Sequence, residues 1–187
     1  EPVYGRNELL LDLTRPEVRD YIVESVAGVL DSAEISYVKW DMNRQMAGAG
    51  GAFAHRYILG LYEVLHRIFD KRPEILFESC SSGGNRFDLG MLCFSPQIWA
   101  SDDTDPIERL DIQKGLSYLY PLSTMGAHVS ASPHAQTLRR TPLDTRFAVS
   151  CFGCLGYELD LRELTPVELK EARRQIAFYK KHRMTLQ

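Results

Sequence analysis

The chain has 187 residues, 44% of them hydrophobic, enough length and apolar content for a sizeable core. Its net charge of −3 gives no basic footprint, so nucleic acid and anionic membrane are not expected partners. No apolar run approaches the roughly 20 residues that span a bilayer, and four irregularly spaced cysteines are too few for a disulfide scaffold.

In chain order, residues 9–13 (Leu-Leu-Leu-Asp-Leu) predict a strand. Thr14-Arg-Pro-Glu17 predicts a capping box with Pro near the first helical position. Val18, Tyr21, Ile22, Val26, Val29 and Leu30 then carry helical spacing to about Asp31. Ile35, Tyr37 and Val38 predict a short buried strand over 35–40. It ends abruptly in Lys39, Trp40, Asp41 and Asn43, followed by a Gly/Ala-rich stretch over 47–54. A second helix is predicted over 55–69, with Tyr57, Ile58, Leu61, Leu65 and Ile68 on one face. Strand 75–79 runs into a glycine-bearing turn, Cys80-Ser-Ser-Gly-Gly-Asn85. A short helix over 87–93 and a strand over 97–101 follow.

Asp105-Pro-Ile-Glu108 opens a helix to about Tyr120. A strand near 127–130 leads into a long polar loop, and Thr141-Pro-Leu-Asp144 starts another helix. A strand over 156–161 precedes a last helix capped by Thr165-Pro-Val-Glu168. Cys151 and Cys154 form a lone C-x-x-C pair and read as small buried hydrophobes rather than a metal or redox site.

Strands alternating with capped helices argue for a parallel sheet covered by helices. A doubly wound sheet would draw its site from few strands at one switch point. Here polar groups stand at several successive strand ends: Asp41, Cys80 with Ser81, Asp102 and Ser130. Chemistry gathered from many strand ends suggests a barrel. The expected fold is therefore α/β, a partial (β/α)8 TIM barrel holding roughly the last six strands with their helices, without a second domain.

Asp41 is the first candidate for a catalytic carboxylate; the alternative is a plain Lys39–Asp41 salt bridge at a strand end. The second acidic cluster is Trp99-Ala-Ser-Asp102-Asp103-Thr-Asp105. Hard-metal sites want more oxygen ligands than this stretch supplies, and Asp105 is placed as a helix N-cap. That leaves Asp102 or Asp103. Two carboxylates flanking one site, with Trp and Asn nearby, is a glycosidase arrangement. Paired Asp at strand ends also serves aldolases and isomerases.

Three motifs sharpen this. Lys39-Trp-Asp-Met-Asn-Arg44, Glu78-Ser-Cys-Ser-Ser-Gly-Gly-Asn-Arg-Phe-Asp88 and Trp99-Ala-Ser-Asp-Asp-Thr-Asp105 resemble glycoside hydrolase family thirty-six, the bacterial α-galactosidases. Gly126-Ala-His-Val-Ser130 and Gly156-Tyr-Glu-Leu-Asp-Leu161 resemble its later barrel strands. The resemblance implies a retaining, double-displacement hydrolase that removes terminal α-linked galactose from melibiose- and raffinose-type oligosaccharides, with no metal and no organic cofactor. It implies Asp41 as nucleophile and Asp102 as acid/base. Arg6, Lys39, Trp40 and Asn43 would bind sugar, with Cys80, Ser82 and Gly83 forming a sugar-binding turn. It also implies a cytoplasmic bacterial protein, homo-oligomeric and commonly tetrameric when full-length. The chain itself would be a fragment of one catalytic domain, lacking an N-terminal β-sandwich, the early barrel strands and a C-terminal β-domain. Rival readings are a galactosyl transferase, an α-N-acetylgalactosaminidase, or a sugar-binding fragment without catalytic competence. Arg86 and Asp88 are expected to brace the turn as an ion pair; His128, on a barrel strand, is a candidate for a supporting role behind the site, with plain packing as the alternative.

Overall fold

The computed structural model describes residues 4, 7–44, 46 and 50–187. Two compact units divide the chain at residue 96.

In the first unit, α1 (Pro16–Leu30) leads to β1 (Tyr37–Trp40), α2 (Gly51–Phe69), β2 (Leu76–Ser79) and a single turn, α3 (Leu89–Leu92). β1 and β2 pair in parallel, with Lys39 opposite Glu78 and Trp40 opposite Ser79. The core lies under α2, where Val64, Leu65 and Ile68 are fully buried and Leu61 nearly so. Burying each such side chain stabilises by about 1.5–3 kcal/mol. Phe69 closes the helix against Phe77 of β2, ring centroids 4.6 Å apart. The α2 helix begins four residues before its expected start, because the apolar spacing runs back only to Tyr57 while Gly51 to Phe53 already wind the first turn.

The expected strand over 9–13 is not formed. Its residues carry no ladder among the described residues. Instead the carbonyl of Leu13 lies so close over Gly60 of α2 that a Cβ there would collide with it. The segment is an extended strap with Leu13 buried and Leu9 and Leu11 half exposed. The Thr14–Glu17 capping box is absent as well. The helix starts at Pro16, so Arg15 is the N-cap. Thr14 is one residue too early, and its hydroxyl donates to Asp12 at 2.6 Å. β1 is also less buried than expected, with Tyr37 46% exposed, because it lies at the edge of its sheet with β2 as its neighbour.

In the second unit, β3 (Gln97–Trp99) is followed by α4 (Pro106–Ser117), β4 (Met125–Ser130), α5 (Leu143–Ser150), β5 (Cys154–Glu158) and α6 (Pro166–Leu186). β3, β4 and β5 pair in parallel, with Trp99 opposite Gly126 and His128 opposite Gly156. Ile98, Met125, Ala127 and Val129 form the buried face, with Leu143 and Val149 of α5. The Thr165–Glu168 capping box is complete in both directions, and Asp105 caps α4 through the amides of Ile107 and Glu108. β5 starts two residues before its predicted position, at Cys154. Cys151 is buried and Cys154 partly so, and each thiol donates to a backbone carbonyl.

Candidate active site

Parallel pairing brings the C-terminal ends of β1 and β2 together, and the first group of polar side chains stands there. The chain leaves β1 into Asp41 and leaves β2 into Cys80. The ladder continues past both strands, with the Cys80 amide donating to Trp40 at 2.9 Å and the Met42 amide to Cys80 at 3.2 Å. The glycine-bearing turn then folds back over Asp41. Ser82 adopts φ 47° and Gly83 φ 87°, the left-handed region that Gly enters without strain and Ser does not. This tight path aims the Ser82 amide at Asp41 Oδ1, at 3.4 Å.

Asp41 is thus ringed by donors. Asn43 Nδ2 donates to Oδ2 at 2.9 Å, and the Cys80 thiol and the Met42 amide add further hydrogen bonds. Burial pushes the carboxyl up, but the donors outweigh it and hold Asp41 below the usual aspartate range. The thiol moves the other way. Burial and the neighbouring carboxylate push Cys80 up to about 11, so it stays protonated and acts as a donor, not a nucleophile. Ser82 Oγ donates to Asn43 Oδ1 at 3.1 Å, which leaves the Asn43 NH2 turned toward Asp41.

The plain salt-bridge alternative for Asp41 does not describe this arrangement. Lys39 Nζ pairs with Glu78 at 3.4 Å, as the strand register dictates. Glu78 is 3% exposed and also accepts from the Tyr37 hydroxyl. Trp40 is partly exposed, its ring edge-on to Phe77 at 6.2 Å. Beside the turn opens a cavity of about 300 Å3, lined by Asn43, Tyr62, Ser82, Asn85 and Asp88 among others, at the small end of the range for ligand pockets. Asp41, Asn43, Cys80, Ser82 and Gly83 are therefore brought together, with Lys39 and Trp40 on the strand that leads to them. Arg6 lies outside the described residues.

Arg86 departs from expectation. Among the described residues it makes no ion pair with Asp88, which instead caps α3 through the Met91 amide at 2.8 Å. The Arg86 guanidinium is buried and donates to the carbonyls of Trp40 (2.9 Å) and Cys80 (2.6 Å). It clamps the two residues from which the Asp41 and Ser82 segments depart. Burial lowers its pKa, opposed by nearby groups that include the Asp41 carboxylate. A buried cation whose hydrogen bonds among the described residues go to carbonyls is costly unless geometry needs it.

The second group stands at the end of β3. Asp102 is exposed and accepts from Trp99 Nε1 at 3.0 Å. Asp103 instead turns back, its carboxylate accepting from the Asp105 amide at 3.0 Å. Asp105 is fully buried; burial pushes it up, but Thr137, the helix amides and Arg139 outweigh that and hold it below the ordinary range. Of the three carboxylates, Asp102 is the exposed one, with Asp103 and Asp105 turned to backbone amides. His134, which sequence reasoning overlooked, is buried behind this loop. Its Nδ1 accepts from the Thr137 amide at 3.3 Å, leaving the proton on Nε2 for Thr104 Oγ1 at 3.0 Å. His128 stacks near Trp99, ring centroids 4.5 Å apart, and meets Glu158 at 3.2 Å.

The Melibiase family model matches residues 1–187, the whole chain. The chain belongs to the Melibiase family. It is 52% identical to alpha-galactosidase AgaA of Geobacillus stearothermophilus, over 98% of this chain and 26% of that protein. The crystal structure of that GH36 enzyme matches with a TM-score of 0.96 at 51% identity, over 100% of this chain and 27% of its own. An AgaA variant crystallised with raffinose matches at TM-score 0.95 and 49% identity, again over 100% of this chain and 27% of its own. The chain spans about a quarter of the length of these relatives.

This likeness bears out the expected fold class, α/β and part of a (β/α)8 barrel, with five strands among the described residues where six were counted. Within this Melibiase member, three residues that sequence reasoning missed, Arg109, His134 and Arg146, share one trait with Arg86, whose partner it misassigned. Arg86, Arg109, His134 and Arg146 are buried polar side chains that bind backbone or loop groups at strand ends. A lone Arg or His in a polar loop gives no periodic signal, and Arg86 alone had one, its place in the glycine-bearing motif.

Proposed function

We propose that the protein of which this chain is part is a retaining α-galactosidase, removing terminal α-linked galactose from raffinose- and melibiose-type oligosaccharides. The observation that carries the reading is a carboxylate, Asp41, ringed by thiol and amide donors that keep it ionised, in a chain matched along its whole length by the Melibiase family. Ionised Asp41 attacks the anomeric carbon while Asp102 donates a proton to the departing oxygen. Asp102 then takes a proton from water as water displaces Asp41, and two inversions give net retention. Lys39, Trp40, Asn43 and Arg6 bind the sugar, with the Cys80–Gly83 turn approaching it closely. We assign both units to one catalytic domain, working without a cofactor in a cytoplasmic bacterial homo-oligomer. The raffinose complex of an AgaA variant supports this substrate class.

The test is product analysis of the full-length protein on raffinose. Proton NMR in the first minutes should show α-galactose released before mutarotation. Release of β-galactose means inversion and defeats the assignment. Galactosyl-sucrose oligomers as the main product would instead favour a transferase. With a bound substrate analogue, the Asp41 and Asp102 carboxyls should lie about 5–6 Å apart.

A further inference from the structure

Asp102 sits on a short loop after β3, and one side chain from α4 grips that loop on both sides of it. Arg109 is 3% exposed. Its Nη2 donates to the carbonyl of Ser101 at 2.5 Å, and its Nε to that of Asp103 at 2.6 Å. The third arm, Nη1, donates to the carbonyl of Gly126 on β4 at 3.0 Å. One rigid planar group therefore fixes the residues before and after Asp102 and ties both to the neighbouring strand.

The same guanidinium lies 4.9 Å from the centre of the Trp99 ring, within cation–π range. Trp99 Nε1 is the donor on Asp102 Oδ1. The ring cannot move away into β4, since a Cβ on Gly126 would already stand 2.7 Å from Trp99 Cε3. Arg109 and the glycine together hold the indole at the angle that directs its N–H to Asp102.

Such a buried cation is expensive. Burial pushes Arg109 down to about 10, against the nearby carboxylates Asp103, Glu158 and Asp102. An apolar side chain would fill the space with less desolvation cost, yet it could not hold three carbonyls in one plane. We propose that Arg109 is a positioning residue for the acid/base, fixing the backbone on both sides of Asp102 and the indole that orients its carboxylate. This rests on Asp102 being the acid/base, as proposed above.

The test uses the full-length protein with Arg109→Lys and Arg109→Met, assayed on raffinose and on 2,4-dinitrophenyl α-galactoside. The first substrate needs a proton at its leaving oxygen in the glycosylation step and the second does not. Misplacing the acid should cut kcat/KM for raffinose on the order of 10²-fold, while the dinitrophenyl substrate loses less than about tenfold. An equal loss on both substrates marks a merely structural residue and overturns the proposal. Asp102→Ala is measured alongside. A split there with a flat response in the Arg109 variants overturns the positioning role alone; a flat response in Asp102→Ala removes the acid/base assignment, and the proposal with it. Should neither Arg109 variant fold, Trp99→Phe keeps the ring and removes the donor. It should show the same split at smaller amplitude, and uniform loss there overturns the proposal.

Discussion

The two carboxylates are held in opposite ways. Asp41 takes hydrogen bonds from a thiol, a carboxamide and backbone amides, whereas Asp102 takes one from an indole N–H. Donors of this kind stabilise the anion and resist protonation. A group that must attack as an anion gains from them. A group that must give up and recover a proton in each turnover would be disabled by them. The difference between the two surroundings supports the roles proposed for them, since the residue type is the same.

Removing each carboxylate is the strongest way to break that comparison. Asp41→Ala should reduce turnover of every substrate by on the order of 10⁴-fold or more, because no covalent intermediate forms. Initial rates on raffinose and on an activated aryl galactoside check this. Residual activity that still depends on leaving group would show another residue acting as nucleophile.

Asp102→Ala should behave differently. Raffinose turnover should fall about 10²–10⁴-fold, while the first step with an activated leaving group is spared. Azide should then restore turnover and give a galactosyl azide. Asp103→Ala serves as the control, since its carboxylate is spent on the Asp105 amide. If Asp103→Ala shows the leaving-group split and Asp102→Ala does not, the acid/base has been assigned to the wrong residue.

Arg86 sharpens the comparison at lower amplitude. It clamps the carbonyls of Trp40 and Cys80, so it supports the side of Asp41, the proposed nucleophile. Arg86→Lys keeps the charge and loses the fork. A misplaced nucleophile slows attack whatever the leaving group, so kcat/KM should drop about 10- to 10²-fold on both substrate types alike. This is the reverse of the pattern expected for Arg109. A leaving-group split in Arg86→Lys would blur the two roles and count against the division.

The fold was largely legible because its signals are periodic or local. Helical spacing located α1 and α2, and the pairs Asp105 with Pro106 and Thr165 with Glu168 marked two helix starts that the backbone confirms. Residues 9–13 misled because an apolar run reports burial of some kind, not a ladder; Leu13 is buried under a helix contact instead. The Thr14 box failed by one residue, since Pro16 fixed where the helix could begin. At the site, Asp41, Asn43 and the Cys80 turn were legible as strand-end polar residues. What could not be read were pairings set by register, such as Lys39 with Glu78, and buried arginines whose partners are carbonyls. Backbone acceptors have no sequence signature, so Arg86 was assigned the nearest carboxylate, Asp88, which the helix α3 uses as its cap.

The smallest expected effect probes the thiol that distinguishes Asp41's surroundings from those of Asp102. Cys80 is buried and protonated at ordinary pH, its pKa near 11, and it hydrogen-bonds to Asp41. Removing that donor in Cys80→Ala removes one of the interactions that lower the Asp41 pKa, so the carboxyl titrates higher. The acidic limb of kcat/KM should therefore move to higher pH by about one unit, as a charge-assisted hydrogen bond of about 1.5 kcal/mol predicts. The shift is read from the position of the limb and not from the rate at neutral pH, where Asp41 is ionised in both proteins. Stability follows the same sign. A carboxyl with a depressed folded pKa contributes stability in full above the ordinary aspartate value near 3.9, and loses it as pH falls through its folded value. Cys80→Ala should lose part of that contribution, seen as earlier acid unfolding. Cys80→Ser retains a donor of similar size and should keep the limb in place or move it lower. Lys39 and Arg86 remain in every variant, so their charges cancel from the comparison. An acidic limb that stays fixed in Cys80→Ala would mean that Asn43 and the backbone amides alone hold Asp41 ionised, and that the thiol serves only to fill the turn.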